Sequence, residues 1–170
     1  MNRRNFIRNS GKIAAGISVP LVNNFSLSNN LNFNNNINIG IIGTGDRGSG
    51  LIPFINQIEN LNVVACCDIL PFRLENGIKK SPKNTIAYKN YKKLLENKDI
   101  DAVLIATPFS THYQIASNSI DAGKHVYCEK TMVRGIYDNL NLVKKVKKSN
   151  IIFQTGHQYH SSRLYSHVVD

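Results

Sequence analysis

Cysteine is scarce in this chain, and the three it has, Cys66, Cys67 and Cys128, share no ligand or redox spacing. That excludes a disulfide framework and leaves each thiol as a small hydrophobe in or beside an apolar run. A long apolar run is missing too. The leader's best stretch, Ile13–Val22, is too short to cross a bilayer, so no stable membrane span is expected. Acids are few, 11 against 21 Lys and Arg, for a formal charge of +10. Four of those cations, Arg3, Arg4, Arg8 and Lys12, precede the first acid, Asp46; setting them aside leaves 17 against 11, or +6. Lys144, Lys145, Lys147 and Lys148 crowd the end of one helical stretch, where cations suit the helix dipole. No basic patch is interleaved with aromatics, so no nucleic-acid partner is expected. No set of His, Asp and Glu has metal-ligand spacing, and His157-x-x-His160 is thin support for zinc, so no metal is expected.

What is present divides the chain. Residues 1–22 join a basic start to a mildly apolar run, and Arg3-Arg4 with Phe6 resembles a twin-arginine export signal. Export to the periplasm is therefore the expectation, with the cytoplasm the alternative if the leader is an ordinary basic terminus. Residues 23–36 form an asparagine-rich spacer with little apolar surface to bury, expected to be disordered. The rest has room for one ordinary domain.

From Ile37 onward short, wholly apolar runs alternate with amphipathic stretches. Strands are expected at Ile37–Ile42, Asn62–Cys67, Thr85–Tyr88, Asp101–Ala106, His125–Cys128 and Ile151–Thr155. Helices are expected at Ser49–Glu59, Pro71–Lys80, Tyr91–Asn97, Ser110–Ala122 and Ile136–Ser149. Strands apolar on both faces and separated by helices make an α/β fold, a doubly wound, mostly parallel sheet covered on both sides. In such sheets ligands bind beyond the carboxyl ends of the strands. The polar oddities fall there: Gly43 to Gly48, Asp68, Thr107-Pro108, Glu129-Lys130 and Gly156-His157 all follow strands.

Gly43-x-Gly45-x-x-Gly48 lies directly after a strand and before a helix. The first glycine permits the tight turn, the second lets a pyrophosphate approach the backbone, and the third lets helix pack on strand. The helix start offers free N–H groups and partial positive charge to phosphates. Asp68 closes the next strand, where its carboxylate can accept the ribose hydroxyls and repel a 2′-phosphate. NAD is the expected cofactor, with Arg73, one turn on, the feature that speaks for NADP. Thr107-Pro108 reads equally as a strand end or as a wall of the site, and His112 equally as a packing residue or a site residue. Asp121 reads as solvated and His125 as structural. Glu129-Lys130, two charges after a buried strand, suits a catalytic rim: the Lys130 ammonium can stabilise an oxyanion developing on the substrate beside the nicotinamide. Glu129 would hold the cofactor or the lysine.

The segments IGIIGTGDRGSG, IATPFSTHYQIASNSIDAGKHVYCEK and QTGHQYHSSRLY, with Asp68 between the first two, resemble the N-terminal half of the glucose–fructose oxidoreductase, inositol dehydrogenase and rhizopine-catabolism family, Gfo/Idh/MocA. The wording is nearest its exported bacterial members, including an NAD-dependent glycosidase-like branch. The resemblance implies that Gly43, Gly45, Gly48 and Asp68 hold NAD with Arg47 beside the pyrophosphate. It also implies that Thr107, Pro108 and His112 line the nicotinamide side, that Glu129 contacts a cofactor ribose, and that Lys130 is catalytic. Gln158, Tyr159 and Arg163 would lie toward a sugar or polyol substrate. The family carries proline after the lysine, often in a cis bond, where this chain has Thr131. It also implies a second α/β domain that commonly mediates homo-oligomerisation. The expectation is thus a Rossmann domain over 37–156, with 157–170 a truncated start of the substrate domain. Such a chain would bind cofactor and turn over little. As alternatives, the family context leaves glycoside hydrolysis through transient oxidation, and the missing half leaves a non-catalytic nucleotide-binding remnant.

Overall fold

A computed structural model of the chain describes residues 36–162. The leader, the spacer as far as residue 35, and Arg163 with the rest of the C-terminus lie outside the described residues. Six strands form one sheet: β1 (Ile37–Ile42), β2 (Leu61–Cys67), β3 (Ile86–Tyr88), β4 (Ala102–Ile105), β5 (His125–Glu129) and β6 (Phe153–Gly156). Their spatial order is β3-β2-β1-β4-β5-β6 and every neighbouring pair is parallel. The order reverses between β1 and β4, which opens a crevice at the carboxyl ends of those two strands.

The helices are α1 (Asp46–Ile55), α2 (Pro71–Lys80), α3 (Tyr91–Leu95), α4 (His112–Asp121) and α5 (Ile136–Lys147). Side chains alternate across each strand, so adjacent residues enter different cores. Ile41, Cys66 and Leu104 pack with Ile52, Ile55 and Leu74 of α1 and α2. Ile42, Cys67, Val103 and Ile105 pack on the other face with residues of α3, α4 and α5, among them Leu94, Ile115 and Leu142. Both faces are therefore covered, as strands without a polar side require. All three cysteines are free and buried.

Differences from the expected elements are local. Helix α1 starts at Asp46, three residues early, and ends at Ile55 rather than Glu59. The glycines at 48 and 50 hide its first turn from propensity, and Asn60, at φ 66°, turns the chain back toward β2. Strand β6 begins at Phe153 because its register is fixed by pairing with Val126 of β5. The amide of Ile152, just before it, donates to His125 Nδ1 at 2.9 Å, so His125 anchors that edge. Among the described residues no helix is long and apolar enough to cross a membrane.

Candidate functional site

The turn after β1 sets the geometry. Gly43 has φ +91°, and a Cβ there would lie 2.8 Å from the backbone of Ala106 and Thr107 beyond β4. A Cβ on Gly48 would lie 1.9 Å from the Gly43 carbonyl oxygen, so only glycine lets α1 pack this close to the turn. Gly45 is different: no backbone crowds it, and its nearest neighbour is the side chain of Arg73. The three positions thus divide as a dinucleotide cradle requires, two closed by protein and one open to a ligand. Gly45 is also the N-cap of α1, and no side chain caps it. The first amides of this ten-residue helix therefore have no side-chain cap.

Thr44, fully buried, joins the turn to its surroundings. Its amide donates to Asp68 Oδ2 at 2.9 Å, and its hydroxyl donates to the Arg73 carbonyl at 2.9 Å. The other carboxylate oxygen, Asp68 Oδ1, accepts from Leu70 N at 2.9 Å. Asp68 therefore shapes the end of β2 and the glycine turn together while keeping acceptor capacity for a ligand. Helix α2 comes close enough that a Cβ on Gly77 would meet the Thr44 side chain at 2.6 Å. A cavity of about 630 Å³ opens over this network, lined by Gly43, Gly45, Asp68, Arg73, Thr107 and Pro108 among others, Lys89 included. The size suits a cofactor site, and the cradle, the acid and the helix start fit NAD.

The carboxyl end of β5 is arranged otherwise. Arg47 Nη2 lies 2.6 Å and Nε 2.8 Å from Glu129 Oε1, while Glu129 Oε2 accepts from Lys130 N at 3.3 Å. Arg47, expected beside the pyrophosphate, pairs its guanidinium with an almost fully buried carboxylate. Burial pushes the Tyr127 phenol above its ordinary range; the Glu129 charge adds to this and Arg47 opposes it. Lys130 is exposed, and its ammonium has no partner among the described residues. The Lys130–Thr131 bond is cis, although Thr131 stands where the family resemblance puts proline.

His112 has the contacts of a packing residue, one of the two readings open to it. It is 1% exposed, with Nδ1 2.9 Å from the Thr131 carbonyl oxygen and Nε2 2.8 Å from that of Thr107. With both ring nitrogens taken, it bridges the loops after β4 and β5. Thr107 and Pro108 share the cavity wall with Asp68. Gln158 and Tyr159 are exposed in the turn Gln158–Ser161 just past β6. Burial pushes the Cys67 thiol, which lines the cavity, up to about 12, with Asp68 adding to the effect. That holds it as a thiol and not a nucleophile. Cys128 is likewise pushed up to about 12, first by burial and then by Glu129. Among the described residues no group of three His, Cys, Asp or Glu could hold a metal ion. Sequence reasoning missed Thr44 and Lys89. The signal for Thr44 was its place between two glycines of the motif; Lys89 sits just past a three-residue strand and carries no pattern of its own.

A parallel sheet of this order, with a glycine cradle and a strand-end acid at its reversal point, defines a dinucleotide-binding domain of the doubly wound class. The model of the oxidoreductase family with an NAD-binding Rossmann fold, Gfo/Idh/MocA, matches residues 37–157, and the chain belongs to that family. A glycosyl hydrolase family 109 protein of Shewanella pealeana is 30% identical over 151 residues, which is 76% of this chain and 33% of that protein. Myo-inositol 2-dehydrogenase of Thermotoga maritima is 30% identical over 123 residues, 69% of this chain and 35% of that one. The crystal structure of scyllo-inositol dehydrogenase from Lactobacillus casei, with bound NAD(H) and scyllo-inositol, superposes with a TM-score of 0.71 at 25% identity. It covers 78% of this chain and 39% of that structure. The chain spans about a third of the length of these relatives.

Proposed function

We propose that the chain carries the NAD-holding part of an oxidoreductase that moves hydride between a secondary alcohol of a sugar or polyol and NAD. The observation that carries this reading is the coupling of the glycine cradle to Asp68 through the Thr44 amide. Gly43, Gly45 and Gly48 would receive the pyrophosphate at the start of α1, and Asp68 the ribose hydroxyls beside the cavity. When bound, NAD supplies the hydride acceptor. Lys130, with its ammonium unpaired among the described residues at the same end of the sheet, would stabilise the alkoxide that develops as the carbinol proton passes to a general base and the carbon-bound hydride passes to NAD. Glu129 keeps the backbone of that loop in place through the Lys130 amide. Gln158 and Tyr159, next along the rim after β6, would face the substrate, as would Arg163. Titration calorimetry tests the reading: NAD binds the wild-type chain, and Asp68→Ala weakens it at least tenfold. Unchanged affinity in that variant would count against it.

A second reading, glycoside hydrolysis by transient oxidation and re-reduction, is favoured by the likeness to the family 109 glycosyl hydrolase protein. Net NADH formation on sugars or polyols separates the two, since the hydrolytic cycle returns every hydride. Twin-arginine export and homo-oligomerisation complete the proposal. A leader fusion that reaches the periplasm equally well after Arg3-Arg4→Lys-Lys would sink the first. A monomeric mass for the NAD-loaded protein would sink the second.

A further inference from the structure

The cavity presents more cationic charge than its acid balances. Asp68 is already engaged by the amides of Thr44 and Leu70, not by a side chain. Arg73 and Lys89 both line the cavity, both are exposed, and neither has an anionic partner among the described residues. The Arg73 guanidinium lies 5.7 Å from the centroid of the neighbouring Phe72 ring. Its position is specific. Nη1, Cζ and Cδ of Arg73 lie 3.7, 3.8 and 3.9 Å from where a Gly45 Cβ would be. The guanidinium therefore rests on the open face of the one motif glycine that protein backbone leaves free. Arg47, the cation nearest in sequence to the cradle, is meanwhile committed to Glu129 by two contacts within 2.8 Å. Releasing it would strand a buried carboxylate.

We infer that Arg73, reaching across from α2, is the side chain that pairs with the pyrophosphate of the bound dinucleotide, and that Arg47 is not. A guanidinium binds two phosphate oxygens at once with a planar fork, which an ammonium cannot do. The open glycine at the start of α1 brings those oxygens to it. The backbone that places Arg73 is secured independently of its side chain, because the Thr44 hydroxyl holds its carbonyl. This inference rests on the NAD-binding reading above.

The test compares the full chain with Arg73→Ala, Arg73→Lys and Arg47→Ala, titrated with adenosine, 2′-AMP, ADP and NAD. Arg73→Ala is expected to weaken ADP and NAD roughly tenfold while changing adenosine less than about twofold, with Lys at position 73 restoring part of the loss. Raising the salt should shrink the gap between wild type and Arg73→Ala. Arg47→Ala should leave the ADP-to-adenosine ratio unchanged. Equal losses for adenosine and ADP would overturn the inference, since the guanidinium would then be stacking on the base. A loss larger for 2′-AMP than for ADP would also overturn it, moving the contact to the ribose 2′ position. Wild-type binding of NAD with no effect of Arg73→Ala would overturn it while leaving the cofactor reading intact. A wild-type chain that binds none of the four would overturn both.

Discussion

The ends of β2 and β5 both carry a buried acid, yet they are built in opposite ways. Asp68 is held by backbone amides two and 24 residues away, within one strand–turn–helix neighbourhood. Glu129 is held by the side chain of Arg47, 82 residues off, together with its own neighbour's amide. The first arrangement leaves nearby cations, Arg73 and Lys89, open to a ligand; the second consumes one. The β2 side of the carboxyl rim is organised for an incoming anion. The other is internally neutralised except at Lys130.

Gly48→Ala would break the first side outright. Its Cβ would need to sit 1.9 Å from the Gly43 carbonyl, so α1 must move off the turn. We expect a loss of about 3 kcal/mol or more in urea unfolding, together with loss of NAD binding. Glu129→Gln breaks the second side more gently. The pair is half exposed at Arg47, so solvent screens part of it, and about 1–2 kcal/mol of stability should go. Affinity for ADP should stay within about twofold, because the broken pair is not the phosphate contact. Exchanging those two outcomes would invert the comparison.

The cysteines sharpen it with the smallest effect. Cys67 precedes Asp68 and Cys128 precedes Glu129, and both thiols are pushed up to about 12 from 9.0 by burial and then by that neighbouring acid. Above the unfolded value the unfolded chain has lost protons that the native thiols keep, so the native state binds more protons and stability falls as pH rises from 9 toward 12. Between pH 7 and pH 10 the stability gap between wild type and each Ala variant should shift by about 1.4 kcal/mol against the thiol, the gap at pH 7 reflecting packing alone. Urea unfolding at the two pH values checks this. Both thiols should also resist alkylation at pH 8 in the folded chain. A selective reaction at Cys67 would mean that the cavity side is wetter than its burial indicates.

The difference between the two sides also explains what the residue pattern could reveal. Gly43, Gly45, Gly48 and Asp68 act through backbone geometry within one local unit, and such units leave fixed spacings in the chain. The parallel sheet was legible for a similar reason, since Ile41-Ile42 and Cys66-Cys67 must each supply an apolar side chain to both cores. The Arg47–Glu129 pair has no spacing to find; it exists only because the carboxyl ends of β1 and β5, separated by β4, lie at the same end of the sheet. His112 was ambiguous on its own, and its burial beneath the Thr107 and Thr131 carbonyls depends on two loops that meet only in the folded chain. The early start of α1 was hidden because the glycines that let it pack are the residues that weaken a helix in isolation.

Thr44 has a consequence for the timing of recognition. Its amide and hydroxyl fasten the turn to β2 and to α2 with no ligand involved. The turn's conformational entropy is therefore lost when the chain folds, and little of it remains to be lost when a nucleotide arrives. Association should then be governed by encounter and electrostatic attraction, with no slow loop-closing phase, and differences in affinity among nucleotides should appear in how long each one stays.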